Sequence, residues 1–195
     1  MKLVDLFEEA AKSRTFAVTE DFFDYLDGTP WTVTAPDSGT AAVSDGVGGR
    51  MTLTASDGSV VDNDEVYLEH DKEVFLVADN KGIYHKSIVQ YTEANTDDAS
   101  VFVGLASAVG ANLLVDDGAG PRASGQIVGF EKRDGETTWR VYSRNGSTVT
   151  SSDSGVTAGG ASYQTLEFFI ENQGSGSTNV KVSYRINGQW VYNTD

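Results

Sequence analysis

Apolar and polar residues alternate along most of the chain between Trp31 and Val191. The clearest blocks are Val101–Leu105, Gln126–Gly135, Thr138–Ser143, Tyr163–Ile170 and Val180–Val191. Blocks of this period, separated by turn residues such as Asp-Gly and Asn-Gly, are typical of half-buried antiparallel strands. The pattern therefore predicts an all-β chain of about a dozen short strands, arranged as a sandwich or barrel.

Six shorter blocks before residue 100 also have the character of strands. They are Trp31–Thr34, Thr40–Ser44, Arg50–Ala55, Glu65–Glu69, Glu73–Ala78 and His85–Thr92. Gly104–Arg122 is predicted to be a long surface loop, and Ser151–Gly155 is a low-complexity polar tract outside the predicted strands.

Residues 2 to 13 carry the only helical pattern. Leu3, Leu6, Phe7 and Ala10 recur at helical spacing and predict one apolar stripe. A helix this short is marginal on its own, so the stripe is expected to dock on the chain's own sandwich or on another chain. With an extended stretch that includes Phe16, this segment is interpreted as a partner-binding arm over residues 1–20, followed by a sandwich over residues 21–195.

The order of the strand blocks resembles the concanavalin A-like jelly roll of laminin-G, lectin and glucanase domains. The resemblance runs from about Asp21 to the C-terminus and is closest to the version in tailed-phage virion proteins. It implies a two-sheet antiparallel jelly-roll sandwich. In that family another strand usually follows the final hairpin, whereas this chain ends at Asp195. The missing edge is expected to come from Thr15–Leu26 or from a neighbouring subunit, or else to stay open.

The charge of the chain argues against nucleic-acid and membrane partners. Fourteen basic and 29 acidic side chains give a net charge of −15, and the basic residues are scattered instead of clustered. No stretch approaches the roughly 20 apolar residues of a membrane-spanning helix, and the N-terminus does not have the pattern of a signal peptide. The chain has no cysteine, which excludes disulfides and thiolate metal sites.

Glu69 and Glu73 are the sharpest catalytic candidates. They lie in Glu-His-Asp-Lys-Glu, which has the carboxylate spacing of glucanases on this fold. A catalytic strand needs apolar residues between its acids to pack on the core, and here His70 and Lys72 occupy those positions. A turn is therefore the favoured interpretation, and the chain is expected not to be an enzyme.

No cofactor or metal is predicted. The oxygen-rich segments Asp62–Glu65 and Asn95–Asp98 could hold calcium but are interpreted as solvated turns. His70 and His85 are far apart in sequence, which makes a zinc site improbable. The three tryptophans could stack on sugars, although aromatic residues at strand spacing more often pack in a core or across strands.

Without catalytic residues, an acidic sandwich with an amphipathic arm indicates a structural or interaction module. The phage resemblance implies a capsid decoration (cement) protein on the outer surface of a phage head, assembled in the host cytoplasm, which bridges and stabilises capsomers. The expected partners are the major capsid protein and sister copies. The acidity favours the outside of the shell, away from packaged DNA. A carbohydrate-binding host-recognition domain is the alternative, and a glycoside hydrolase is a distant third.

Overall fold

The computed structural model describes residues 16–23, 25, 28, 30–46, 48–59, 61, 64–78, 81–93, 98–115, 118–172 and 180–193. Within these ranges the chain is all-β, as its alternating pattern predicts, and contains no helix. The strands are β1 Trp31–Thr34, β2 Thr40–Val43, β3 Met51–Thr54, β4 Tyr67–His70, β5 Ile83–Val89, β6 Val101–Ala106, β7 Leu114–Val115, β8 Gly120–Pro121, β9 Ile127–Lys132, β10 Thr138–Asn145, β11 Thr148–Thr157, β12 Gln164–Asn172, β13 Val180–Ile186 and β14 Gln189–Asn193.

Two four-stranded antiparallel sheets form the body of the protein. Sheet I has the order β11-β10-β9-β6, and sheet II has the order β14-β13-β12-β5. Three two-stranded pairs, β1-β4, β2-β3 and β7-β8, lie outside them. Among the described residues β11 and β6 are the end strands of sheet I, and β14 and β5 are those of sheet II, so neither edge of either sheet has a neighbouring strand there.

The core lies between the two sheets, which confirms the predicted sandwich arrangement. Alternate residues of β9, β10, β12 and β13 fill it, and the largest side chains with almost no exposure include Trp139, Tyr184, Phe130 and Phe168. Phe130 of sheet I packs edge-on against Tyr184 of sheet II, with ring centroids 5.4 Å apart. The Tyr184 hydroxyl also donates a 2.9 Å hydrogen bond to the carbonyl of Tyr142 on sheet I, which fixes the spacing of the sheets.

The structure differs from the sequence prediction in three places. The predicted loop Gly104–Arg122 contains the short strands β7 and β8. The polar tract Ser151–Gly155 lies inside β11, the longest strand, because its backbone pairs with β10 at the sheet edge, where an apolar face is not required. The predicted strand Glu73–Ala78 is instead irregular and unpaired, although it is strongly apolar. Periodicity therefore missed an edge strand, β11, that has few apolar residues. It also predicted a strand at Glu73–Ala78, where the structure has an irregular segment.

The N-terminal segment is described only from Phe16 onward. The predicted helix, with Leu3, Leu6, Phe7 and Ala10, lies outside the described residues. Residues 16–23 form no strand, so the described part of Thr15–Leu26 does not supply a sheet edge. Glu20 fixes this segment by accepting hydrogen bonds from the Trp31 indole at 2.8 Å and from the Phe22 amide at 2.7 Å.

Candidate docking surfaces

Glu69 and Glu73 occupy different structural settings. Glu69 lies on β4 opposite Thr32, and its carboxylate accepts a 3.2 Å hydrogen bond from the Thr34 hydroxyl. The strand ends at His70, a bend follows at Asp71 and Lys72, and Glu73 begins the irregular run. The two acids are therefore not alternate residues of one regular strand, which is the arrangement that a shared catalytic cleft of this type requires.

The structure describes only part of the calcium candidates. Asp62, Asn63 and Asn95–Asp97 lie outside the described residues. The Glu65 carboxylate accepts the Asn112 amide at 2.9 and 3.0 Å, so it holds a loop in place. In the described ranges no three His, Cys, Asp or Glu side chains are grouped so that they could hold a metal ion.

His85 lies on the inner face of sheet II and is half-buried. Its ring stacks on Phe168 with centroids 4.6 Å apart and an angle of 8° between the planes. Nε2 lies 3.2 Å from the Ser87 hydroxyl, while the buried Nδ1 has no hydrogen-bond partner. Burial lowers the pKa of His85 to about 4, so the ring is neutral near pH 7.

A buried ion-pair cluster lies on the outer face of sheet I, around Glu131. One carboxylate oxygen, Oε1, lies 2.7 Å from Arg133 Nη2 and 3.7 Å from Arg140 Nε, and accepts a 3.1 Å hydrogen bond from the Ser151 hydroxyl. Burial raises the pKa of Glu131, and Arg133 opposes that rise. A Cβ on Gly120 would lie 3.0 Å from Oε2, so the β7-β8 hairpin closes directly over the carboxylate.

The next residue on the strand, Lys132, is also buried but points toward the other face. Its ammonium donates to Glu93 Oε2 at 3.3 Å and to the Ala99 carbonyl at 2.8 Å, which ties the segment before β6 to the end of β9. Two consecutive charged residues near an Asp-Gly turn are normally solvated. The sequence therefore did not indicate that Glu131 and Lys132 are buried. Both charges have structural partners and are not available to a ligand.

The segment before β5 exposes a cluster of apolar side chains, which we call the Phe75 patch. It consists of Phe16, Phe75, Leu76 and Val77. The Phe16 and Phe75 rings are in contact, with centroids 5.6 Å apart. Leu76 is 80% exposed and Phe16 is 62% exposed. Phe16 is thus the one predicted partner-binding residue that the structure describes, and it lies at the surface beside further apolar side chains.

The outer face of sheet II is a second exposed surface, which we call the aromatic face. Trp190 is 66% exposed and Tyr84 is 57% exposed. The Tyr84 hydroxyl donates a 2.5 Å hydrogen bond to Glu167, and the Arg185 guanidinium lies 5.2 Å from the centre of the Trp190 ring. Strand alternation alone does not show which face of a sheet lacks a covering layer.

The three tryptophans differ in their environments. Trp139 is fully buried and donates a 2.9 Å hydrogen bond to Gln164, as expected for a core residue. Trp31 is half-buried beside His70, with ring centroids 5.5 Å apart. Trp139 is therefore a core residue, whereas Trp190 pairs across strands with Arg185, and both are arrangements that the sequence analysis expected.

Charge is distributed very unevenly along the chain. Residues 1–126 carry 22 acidic and 8 basic side chains, whereas residues 127–193 carry six of each. The strands from β9 onward, which make up most of both sheets, are therefore neutral overall. The acidity belongs to the loops, small strand pairs and arm that precede them, and a partner that meets these segments faces a strongly negative surface.

Comparison with known proteins gives no family for this chain: no family model matches it, and no similar curated protein or solved structure was found. Within the described part of the chain there is no helix of the length and apolarity needed to cross a membrane.

Proposed function

We propose that this chain is a structural virion protein, a decoration or cement protein on the outer surface of a phage head. Its sandwich is a concanavalin A-like jelly roll in this proposal, and its partners are the major capsid protein and sister copies. The observation that carries the proposal is the Phe75 patch. A contiguous exposed apolar surface next to a polar one is typical of a site that another protein covers.

The energetics of the Phe75 patch favour a permanent partner. Burying one Leu or Phe side chain contributes roughly 1.5–3 kcal/mol. Among the described residues the run Glu73–Ala78 pairs with no strand, and a segment of this kind can pair with a neighbouring chain. Phe16 continues the patch toward residues 1–15, where the apolar stripe of the predicted arm would extend the same surface.

The acidity supports an external location. A protein with a net charge of −15 is repelled by packaged DNA. The excess negative charge lies in residues 1–126, and Asp71 and Glu73 directly precede the Phe75 patch in sequence. A capsid partner is therefore expected to present apolar side chains surrounded by basic ones.

A particle-binding assay tests this proposal. Leu76→Asp should weaken binding of the purified protein to particles that lack it by about tenfold or more, which is the loss expected from one buried leucine. Val149→Asp is the matched control, because Val149 is an exposed apolar residue on β11 and its replacement should leave binding unchanged. Equal affinity of the Leu76→Asp variant and the wild-type protein for particles, or no binding by either, would contradict the proposal.

Deletion of residues 1–14 separates docking from folding. The main core cluster is built from β-strand residues of the two large sheets, so the truncated protein should remain folded while its binding to particles is lost. Unfolding of the truncated chain would show that residues 1–14 are part of the core of the sandwich. Undiminished binding would show that the arm is not an anchor.

The proposed role is not catalytic. Replacing Glu69 and Glu73 together with Gln should leave particle binding intact, and the wild-type protein should release no sugar from glycan substrates. Cleavage that disappears in the double variant would reinstate the glycoside hydrolase alternative.

A further inference from the structure

The aromatic face of sheet II combines exposed rings with charged groups in one row. Lys86, Glu167, Arg185 and Trp190 are paired in register across all four strands. Because neighbouring strands are about 4.8 Å apart, the row extends about 14 Å across the sheet. Tyr84 lies on the same face, two residues from Lys86 along β5. We propose that this face binds an uncharged, extended pyranose oligosaccharide laid across the strands between Tyr84 and Trp190.

The two terminal rings are held in place by their neighbours. The Arg185 guanidinium lies over the Trp190 ring and is itself fixed by the Gly188 carbonyl, 3.0 Å from Nη2. Since Trp190 is 66% exposed, the opposite side of its ring is open to a ligand. Glu167 holds the Tyr84 hydroxyl at 2.5 Å. Rings ordered before binding lose little conformational entropy when a ligand stacks on them.

The groups between the rings suit a sugar better than a protein surface. Glu167 and Arg185 are directly opposed on β12 and β13, and covering both with apolar side chains would cost desolvation energy without new partners. Saccharide hydroxyls can donate to the Glu167 carboxylate and accept from Arg185 and Lys86. The C–H surfaces of pyranose rings can meanwhile lie against Trp190 and Tyr84.

Charge distinguishes among glycans. The row contains two cations and one carboxylate, but the whole chain carries −15. An anionic polysaccharide longer than the row would be repelled by the acidic segments of residues 1–126. The aromatic face therefore favours an uncharged chain. This activity is independent of docking through the Phe75 patch, and one protein can carry both.

Calorimetric titration of the full-length protein with cellohexaose and with chitohexaose tests the inference. At least one of these uncharged hexasaccharides should bind, and Trp190→Ala should weaken that binding by about tenfold, or roughly 1.4 kcal/mol. Tyr84→Ala is the second variant, and it should weaken binding similarly. Phe16→Ala is the matched control, because it removes an equally exposed ring from the other surface and should leave affinity unchanged.

Three outcomes would overturn the inference. The first is that neither hexasaccharide binds at millimolar concentration. The second is that binding survives in both the Trp190 and Tyr84 variants, with folding confirmed by circular dichroism. The third is that only an anionic probe, oligogalacturonate, binds. Loss of sugar binding in these variants with unchanged particle binding would leave the proposed virion role intact.

Discussion

The outer faces of the two large sheets differ in how they are covered. On sheet I, Ile127 and Tyr142 point away from the main core yet are almost fully buried, because Leu113 and Tyr67 pack over them. On sheet II, Tyr84 and Trp190 occupy the corresponding outward positions and are exposed. Two sheets with similar strand patterns therefore have different roles. One supports the surrounding loops, and the other is available to a partner.

Arginine use shows the same difference. On sheet I, Arg133 and Arg140 neutralise the buried Glu131, and Arg144 donates a 2.8 Å hydrogen bond to the Ala123 carbonyl. Arg144 thereby ties the loop before β9 to the sheet. On sheet II, Arg185 lies at the surface over Trp190. Charged and aromatic side chains on the outer face of a sheet are therefore structural where a loop covers them. They are functional candidates where no described segment covers them.

The largest effect should come from removing a covered ring. Tyr142→Ala should lower the free energy of unfolding by about 3–5 kcal/mol, as for other large aromatic residues in cores. Tyr84→Ala removes the same side chain from the bare face and should change it by about 0.5 kcal/mol or less. Chemical denaturation of both variants measures the contrast, and similar losses would show that the aromatic face is also part of a core.

A pH titration tests whether the His85 ring on the inner face of sheet II is shielded from water. The pKa of His85 falls from 6.5 to about 4 on folding. The unfolded chain therefore takes up the proton first, and the free energy of unfolding should decrease by about 3 kcal/mol between pH 6.5 and pH 4. Above about pH 6.5 the ring is neutral in both the folded and the unfolded chain, so none of this stability is lost there.

His85→Leu should remove that part of the pH dependence, because leucine does not titrate. His70→Leu is the control, since it leaves the His85 ring in place and should retain the part of the slope that comes from His85. Stability curves measured by urea unfolding at each pH give the comparison. A His85 variant with the wild-type slope would show that the ring is hydrated in the folded protein.

Replacing Glu131 and Glu167, one on each sheet, should give a smaller difference in the free energy of unfolding. Glu131→Gln leaves Arg133 without its carboxylate partner in the covered cluster and should cost about 2 kcal/mol. Glu167→Gln, on the aromatic face, should cost about 0.5 kcal/mol or less, because its hydrogen bond to the Tyr84 hydroxyl is exposed to solvent. Thermal unfolding at fixed pH measures both, and an equal cost would contradict the structural role assigned to Glu131.

Sequence patterns predicted most of the core and few of the surfaces. Alternation located the strands that carry Phe130, Val141 and Phe168, because burial on one face requires a period of two. It did not locate β11, whose polar residues pair at an edge. It also could not predict the burial of Glu131, because that depends on a hairpin packed from outside the strand. The exposure of Trp190 was missed for the same reason, since coverage is a property of neighbouring segments.

A cryo-electron microscopy reconstruction of virions that carry this chain tests most directly whether the Phe75 patch is a docking surface. We expect density for the sandwich on the outer surface of the head, with Phe75 and Leu76 buried against another subunit. Absence of the chain from the head surface, or Leu76 facing solvent in the assembled particle, would contradict it.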